Sequence, residues 1–203
     1  MQLRHFVMRL SPMRNDYSLS VNIKPGFFLS LALLIVLLPV QLVLCWLVAS
    51  IVHELGHLIS LKCMRIRLFS LTLDFSGAII GTDTMHPFQE IACALAGPLF
   101  SLSILLLLKK FPMVAMFALA HSCYNLLPFY PLDGGRSLYN LLVYLKGEVS
   151  AIQTAIVINK SILILLFPVS IAFTIRYKLG LFPIIFAILL FLRMQKFNYT
   201  LKR

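Results

Sequence analysis

Residues 41 to 62 read QLVLCWLVASIVHELGHLISLK, and histidines aside the one charged side chain before Lys62 is Glu54. At 1.5 Å per residue such a segment reaches ~33 Å, enough to cross a hydrocarbon core of ~30 Å. It reads as a membrane-spanning helix. A carboxylate at that depth costs at least a few kcal/mol unless something compensates it. His53-Glu54-Leu55-Gly56-His57 supplies the compensation. In this H-E-x-x-H pattern the imidazoles at i and i+4 lie on one face about a turn apart and can share one tetrahedral zinc, while the glutamate reaches the attacking water. The competing reading, two core histidines bonded to neighbours, leaves the cost of Glu54 unanswered.

Composition agrees with a membrane setting. Of 203 residues 60% are hydrophobic and 12% charged, with a mean hydropathy of +0.93, whereas soluble domains run at roughly 45–50% and about 25%. A water-soluble globule is excluded. The formal charge is +11, but the cations sit between and outside the apolar runs, so nucleic acid is not an expected partner. Cys45, Cys63, Cys93 and Cys123 show no C-x-x-C spacing and read as buried free thiols. The 24 residues ahead of the first apolar run are too long for a cleaved leader, and Leu44 before Cys45 does not suit a lipoprotein.

Outward from the 41–62 helix, Pro39 separates it from a shorter apolar helix at about 27 to 38. Before that, Ser18 to Lys24 alternates polar and apolar and predicts a strand ended by Pro25-Gly26. Residues 1 to 17 form a basic tail whose Arg4, Arg9 and Arg14 suit anionic headgroups. Phe69, Leu71, Leu73 and Phe75 alternate with Ser70, Thr72 and Asp74 ahead of Ser76-Gly77, which predicts a hairpin over 69 to 81 at the membrane surface. Further helices are expected at about 88 to 108, 112 to 127, 161 to 175 and 179 to 192, then a basic C-terminal tail, with no internal repeat. The fold class is an all-α polytopic membrane protein with about six transmembrane helices and a small membrane-associated β-sheet. Residues 18–203 form one membrane-embedded domain whose core runs from about 41 to 145.

With the N-terminus inside and six crossings, 14 Lys and Arg fall inside and 4 outside, the latter being Lys109, Lys110, Arg176 and Lys178. The positive-inside rule then favours both termini in the cytoplasm. A single crossing over 27 to 61 would spoil that asymmetry. His53 lies nine residues from Lys62, ~14 Å along a helix from the inner surface.

A catalytic zinc takes three protein ligands and keeps a fourth position for water. Asp16, Asp74 and Asp83 lie in surface segments, and Asp133 alone ends an apolar helix, so Asp133 is the expected third ligand. Pro128 and Pro131 break that helix, and Gly134-Gly135 let the backbone turn. Exposed backbone at membrane depth is tolerated where it lines protein or a water-filled cavity; a turn outside the bilayer is the alternative. Asn125 offers its amide to a bound peptide or an oxyanion, or equally to a bond between helices. Gly97-Pro98 reads as a close-packing point and kink. His121 tempts as a fourth ligand, which would close the site to water. His86 reads as interfacial, Lys160 as snorkelling to the inner surface, and the Phe and Tyr side chains as lipid-facing bulk.

The His53–His57 motif, Ala96-Gly97-Pro98 and the stretch Asn125-Leu126-Leu127-Pro128-Phe129-Tyr130-Pro131-Leu132-Asp133-Gly134-Gly135 resemble the core segments of the site-2 protease family of intramembrane zinc metalloproteases. The resemblance covers roughly residues 18 to 145. It implies one zinc per chain on His53, His57 and Asp133, Glu54 as the catalytic acid/base, a membrane-anchored protein as substrate, and a membrane regulatory partner. The short first helix after a strand, and the ending after six helices, are similar to the sporulation branch, which cleaves a sigma-factor precursor inside a mother cell in a bacterial membrane. No PDZ insertion interrupts residues 1–203 and no CBS domain lies among them, so the resemblance does not by itself imply ATP sensing through a fused domain.

Other readings stay open. A membrane metal or ion transporter would line a pathway with the same His, Glu and Asp, although transporters show paired broken helices and one break is seen here. A dead scaffold would not need the intact set. In the protease reading, the hairpin at 69 to 81 and the strand at 18 to 24 offer an edge to which an extended substrate adds. No residue speaks to the oligomeric state.

Overall fold

A computed structural model describes residues 19–74 and 77–177, and from the stretch beyond only 184, 187, 188, 190–192 and 194. The first strand, β1 (Ser20–Ile23), gives way to α1 (Pro25–Leu37), where proline in the first turn has no amide to leave unbonded. Pro39 ends α1 and opens α2 (Val40–Cys63). α2 closes on a Schellman turn: the Arg65 N–H bonds Lys62 O at 3.1 Å and the Ile66 N–H bonds Leu61 O at 3.0 Å, with Arg65 at φ 56°, where glycine is usual. The turn redirects the chain into β2 (Leu68–Asp74), which pairs antiparallel with β3 (Gly77–Thr82).

β2 is the middle strand, for β1 lies parallel along its other edge with Ser20 opposite Ser70 and Ile23 opposite Leu73. Lys24 prolongs that seam, its N–H on Leu73 O at 2.9 Å and its Nζ on Asp74 Oδ2 at 3.1 Å. Since β1 and β2 share a sheet, α1 and α2 between them leave that sheet and come back to it.

α3 (Pro87–Ser103) is capped by His86, whose Nδ1 accepts from the Phe88 N–H at 3.4 Å, while Gln89 Oε1 accepts from the His86 N–H at 2.9 Å. It tightens into a 3-10 turn at Ile104–Leu107. α4 (Pro112–Asn125) starts again on proline and stops two residues short of the expected end.

After Asn125 the expectations need correction. Residues 126–132 are a loop, and α5 (Asp133–Lys146) follows where a turn was expected. The helix expected at 161 begins far earlier, as α6 (Glu148–Tyr177). Gly134-Gly135 disguise the start of α5, and the polar Gln153, Thr154, Asn159 and Lys160 interrupt the apolar signal of α6. Packing of a helix overrides such local preferences. Lys160 accordingly lies inside α6 and is exposed. The tail over 1–17, Ser18, the turn at Ser76 and the C-terminal basic tail fall outside the described residues, as does most of the helix expected at 179 to 192; the described residues of that stretch are helical.

α2 packs on α3 and α4, α3 on α4 and α5, and α5 on α6. Ala49 of α2 and Ala115 and Ala118 of α4 are fully buried in one cluster, small residues being what lets membrane helices approach closely. α1 has no fully buried residue; Phe27, Leu31 and Leu34 are half-buried, and most of its other apolar side chains are exposed. Three described helices are long and apolar enough to cross a membrane, Val40–Cys63, Pro87–Leu107 and Glu148–Arg176, with Pro25–Leu37 a shorter apolar helix. All four cysteines are free, but only Cys93 is buried; Cys63 and Cys123 are exposed. An apolar run does not bury a thiol in protein when lipid can cover its outer face.

Candidate metal centre

α2 presents His53 and His57 one turn apart, and the first residue of α5 brings Asp133 to them from 80 positions along the chain. His53 Nε2 lies 3.0 Å from Asp133 Oδ2, His57 Nε2 lies 3.4 Å from the same oxygen, and the two nitrogens are 3.2 Å apart. All three residues are buried. Tetrahedral zinc with bonds of ~2.0–2.1 Å has ligand-to-ligand edges of roughly 3.3–3.4 Å. The three atoms therefore match one triangular face of such a site.

The donor chemistry fits as well. His57 Nδ1 donates to the carbonyl oxygen of Cys93 at 2.8 Å, which fixes the tautomer and leaves the Nε2 lone pair turned toward His53 and Asp133. Gly97 of α3 lies against the pair: a Cβ there would collide with His57 Nε2 and Cε1 and stand 2.9 Å from His53 Nε2. The close-packing expectation for Gly97 holds, and what packs on it is the histidine couple.

Glu54 is half-buried on α2 and close enough to His53, His57, Asp133 and Arg136 to interact electrostatically with each, yet it is not one of the converging ligands. Asp133 has its own support. Arg136 places Nη1 4.0 Å from Asp133 Oδ1 and bonds Glu90 Oε2 through Nη2 at 2.9 Å, tying the first turn of α5 to the first turn of α3. Sequence reasoning passed over both residues. The available signal was a carboxylate at the head of an apolar helix, which needs a cation.

The expected contributor Asn125, and His121, weighed as a fourth ligand and set aside, stand as follows. The Asn125 amide donates to His121 O within its own helix at 3.1 Å, not toward the ligand set. The His121 ring stacks edge-on to His53 at a centroid distance of 4.5 Å, beside the site but outside the group of converging ligand atoms.

No protein-family model matches the chain. Two sequence relatives do. It is 33% identical over 117 residues, 49% of its length, to sll0528 of Synechocystis sp., provisionally named a zinc metalloprotease. It is 28% identical over 133 residues, 59% of its length, to the zinc metalloprotease MJ0392 of Methanocaldococcus jannaschii. The matches span only 31% and 39% of those relatives. Among solved structures, the site-2 protease from Methanocaldococcus jannaschii superposes with a TM-score of 0.66 at 21% identity, covering 91% of this chain and 93% of that one. Around its His53, His57 and Asp133 triangle, this chain thus has the fold of a site-2 protease, and its sequence relatives bear the name of zinc metalloproteases.

Proposed function

We propose that the protein is an intramembrane zinc metalloprotease of the site-2 protease family, cutting a peptide bond within or beside a transmembrane segment of a membrane-anchored protein. The observation that carries this is the triangle of Nε2, Nε2 and Oδ2 atoms inside an apolar helix bundle. His53, His57 and Asp133 would hold zinc, which when bound supplies a Lewis acid that polarises the scissile carbonyl and brings the pKa of water toward ~7.

The chain's own groups do the rest. Glu54 takes a proton from the attacking water and hands it to the leaving amine. Arg136 steadies the ligand carboxylate from its far oxygen, and Gly97 keeps the space in front of the imidazoles open. A substrate must be extended at the cut, since a helix hides its carbonyls. β1 occupies one edge of β2, so the edges left for an added strand are the outer ones of β1 and β3.

Six crossings with both termini in the cytoplasm remain the best topology. The shared sheet supports an even number of crossings for α1 and α2, and α4, the 126–132 loop and α5 together make one broken crossing. The sporulation branch is favoured within the family by β1 standing directly before an α1 of 13 residues. The substrate is then a membrane-tethered precursor, and a membrane protein regulates access. Co-expression of wild type and Glu54→Gln with such precursors tests the reading: cleavage by wild type alone supports it, and none by either with zinc bound refutes it.

A further inference from the structure

Three residues ahead of Asp133, the peptide of Tyr130 is gripped from another helix. Asn159 of α6 accepts from the Tyr130 N–H through Oδ1 at 3.0 Å and donates from Nδ2 to the Tyr130 carbonyl, also at 3.0 Å. One side chain thus answers both polar groups of a single residue, as a neighbouring strand would. Only one orientation of the amide satisfies both bonds. Asn159 is 1% exposed, and a polar group that deep is tolerated when its hydrogen bonds are made.

The grip sits where movement would be passed on. Phe129 and Leu132, on either side of Tyr130 and Pro131, are buried in a cluster with Leu163 of α6. The loop is pressed onto the first turn of α5, for a Cβ at Gly134 would collide with the Leu126 carbonyl and one at Gly135 with the Phe129 and Tyr130 backbone. A shift at Tyr130 therefore reaches Gly135 by direct contact and Asp133 by three peptide links, with no slack between.

We propose that Asn159 is a positioning residue of the metal centre: by fixing the Tyr130 peptide it sets the place of Asp133, and so the hold on the metal and the geometry around it. The inference rests on the zinc reading above. Asn159 is not one of the converging ligands and acts through the Tyr130 backbone.

The test uses the full chain in detergent, loaded with zinc or with Co2+ as a spectroscopic probe, and compares Asn159→Leu and Asn159→Asp with Ala151→Gly, a control that loosens the same helix. Both Asn159 variants should release zinc to a chelator about 10–100-fold faster, the size expected when an outer support of a ligand is lost, and should shift the visible Co2+ spectrum. Ala151→Gly, at a comparable loss of thermal stability, should do neither. If Asn159→Leu fails to fold, Asn159→Asp carries the test at a pH high enough to ionise the buried carboxyl, where it keeps the acceptor for the Tyr130 N–H and loses the donor. Release rates and spectra at wild-type values overturn the proposal, and so does equal acceleration in the control. Wild-type protein that takes up neither metal would sink the zinc reading itself, a result distinct from unchanged variants.

Discussion

The Nδ1–H of His57 donates to the main-chain carbonyl of Cys93 at 2.8 Å. A candidate ligand on α2 is therefore aimed by the backbone of α3, and the bond does not depend on the side chain at position 93. By contrast, His53 Nδ1 is buried without a hydrogen-bond partner among the described residues. The two imidazoles are held with unequal firmness.

From that relationship comes the first expectation. Purified protein should hold about one zinc per chain, the stoichiometry of a single three-ligand catalytic site. His57→Ala and Asp133→Ala should lose most of it, and Cys93→Ala should retain it, because the carbonyl and not the thiol orients His57. Metal analysis of the three variants decides; full zinc in Asp133→Ala would mean that the third ligand is another residue.

Gly97→Ala should empty the site without unfolding the chain. The added methyl takes the space of the histidine nitrogens, so they must swing away from Asp133. Zinc content should fall while circular dichroism stays that of wild type. Normal zinc in this variant would show that α2 and α3 can part easily.

Glu54→Gln separates protease from carrier. The amide keeps shape and zinc but cannot shuttle a proton, so turnover should fall by about 10²–10⁴ with substrate still bound. A carrier would show altered metal affinity or transport and no cleavage to lose. A Glu54→Gln protein that cuts at the wild-type rate ends the proposed mechanism.

Topology is open to reporter fusions. Fusions after Lys24, at Thr82 and after Arg203 should report cytoplasm, and one at Lys110 the outside. Lys24 and Thr82 are bound most tightly together, because β1 and β3 flank the same strand. Opposite signals at those two sites would contradict the sheet as well as the charge count.

Local patterns showed in the sequence, and contacts made at a distance did not. The i, i+4 histidines, the helix break at Pro39 and the alternation from Phe69 to Asp74 each encode their geometry within a few residues, and α2 and the hairpin follow them closely. Asp133 was reachable by elimination among four aspartates. The parallel seating of β1 on β2 joins residues 50 apart in the chain, such as Ser20 and Ser70, and nothing in either strand names its partner. α5 was hidden by its glycines, whose value lies in the loop folded over them. Arg136, Glu90 and Asn159 look like ordinary polar residues until packing brings each to its counterpart.

The separation of 80 positions from His53 to Asp133 also orders events in time. At roughly 5–20 residues per second, synthesis of that interval takes about 4–16 s. During that interval the imidazoles and Glu54 have been translated, while the carboxylate that completes the triangle does not yet exist. If the chain is the protease proposed above, it is inert at birth. It can threaten the other nascent chains being inserted around it only once its own last ligand has been translated.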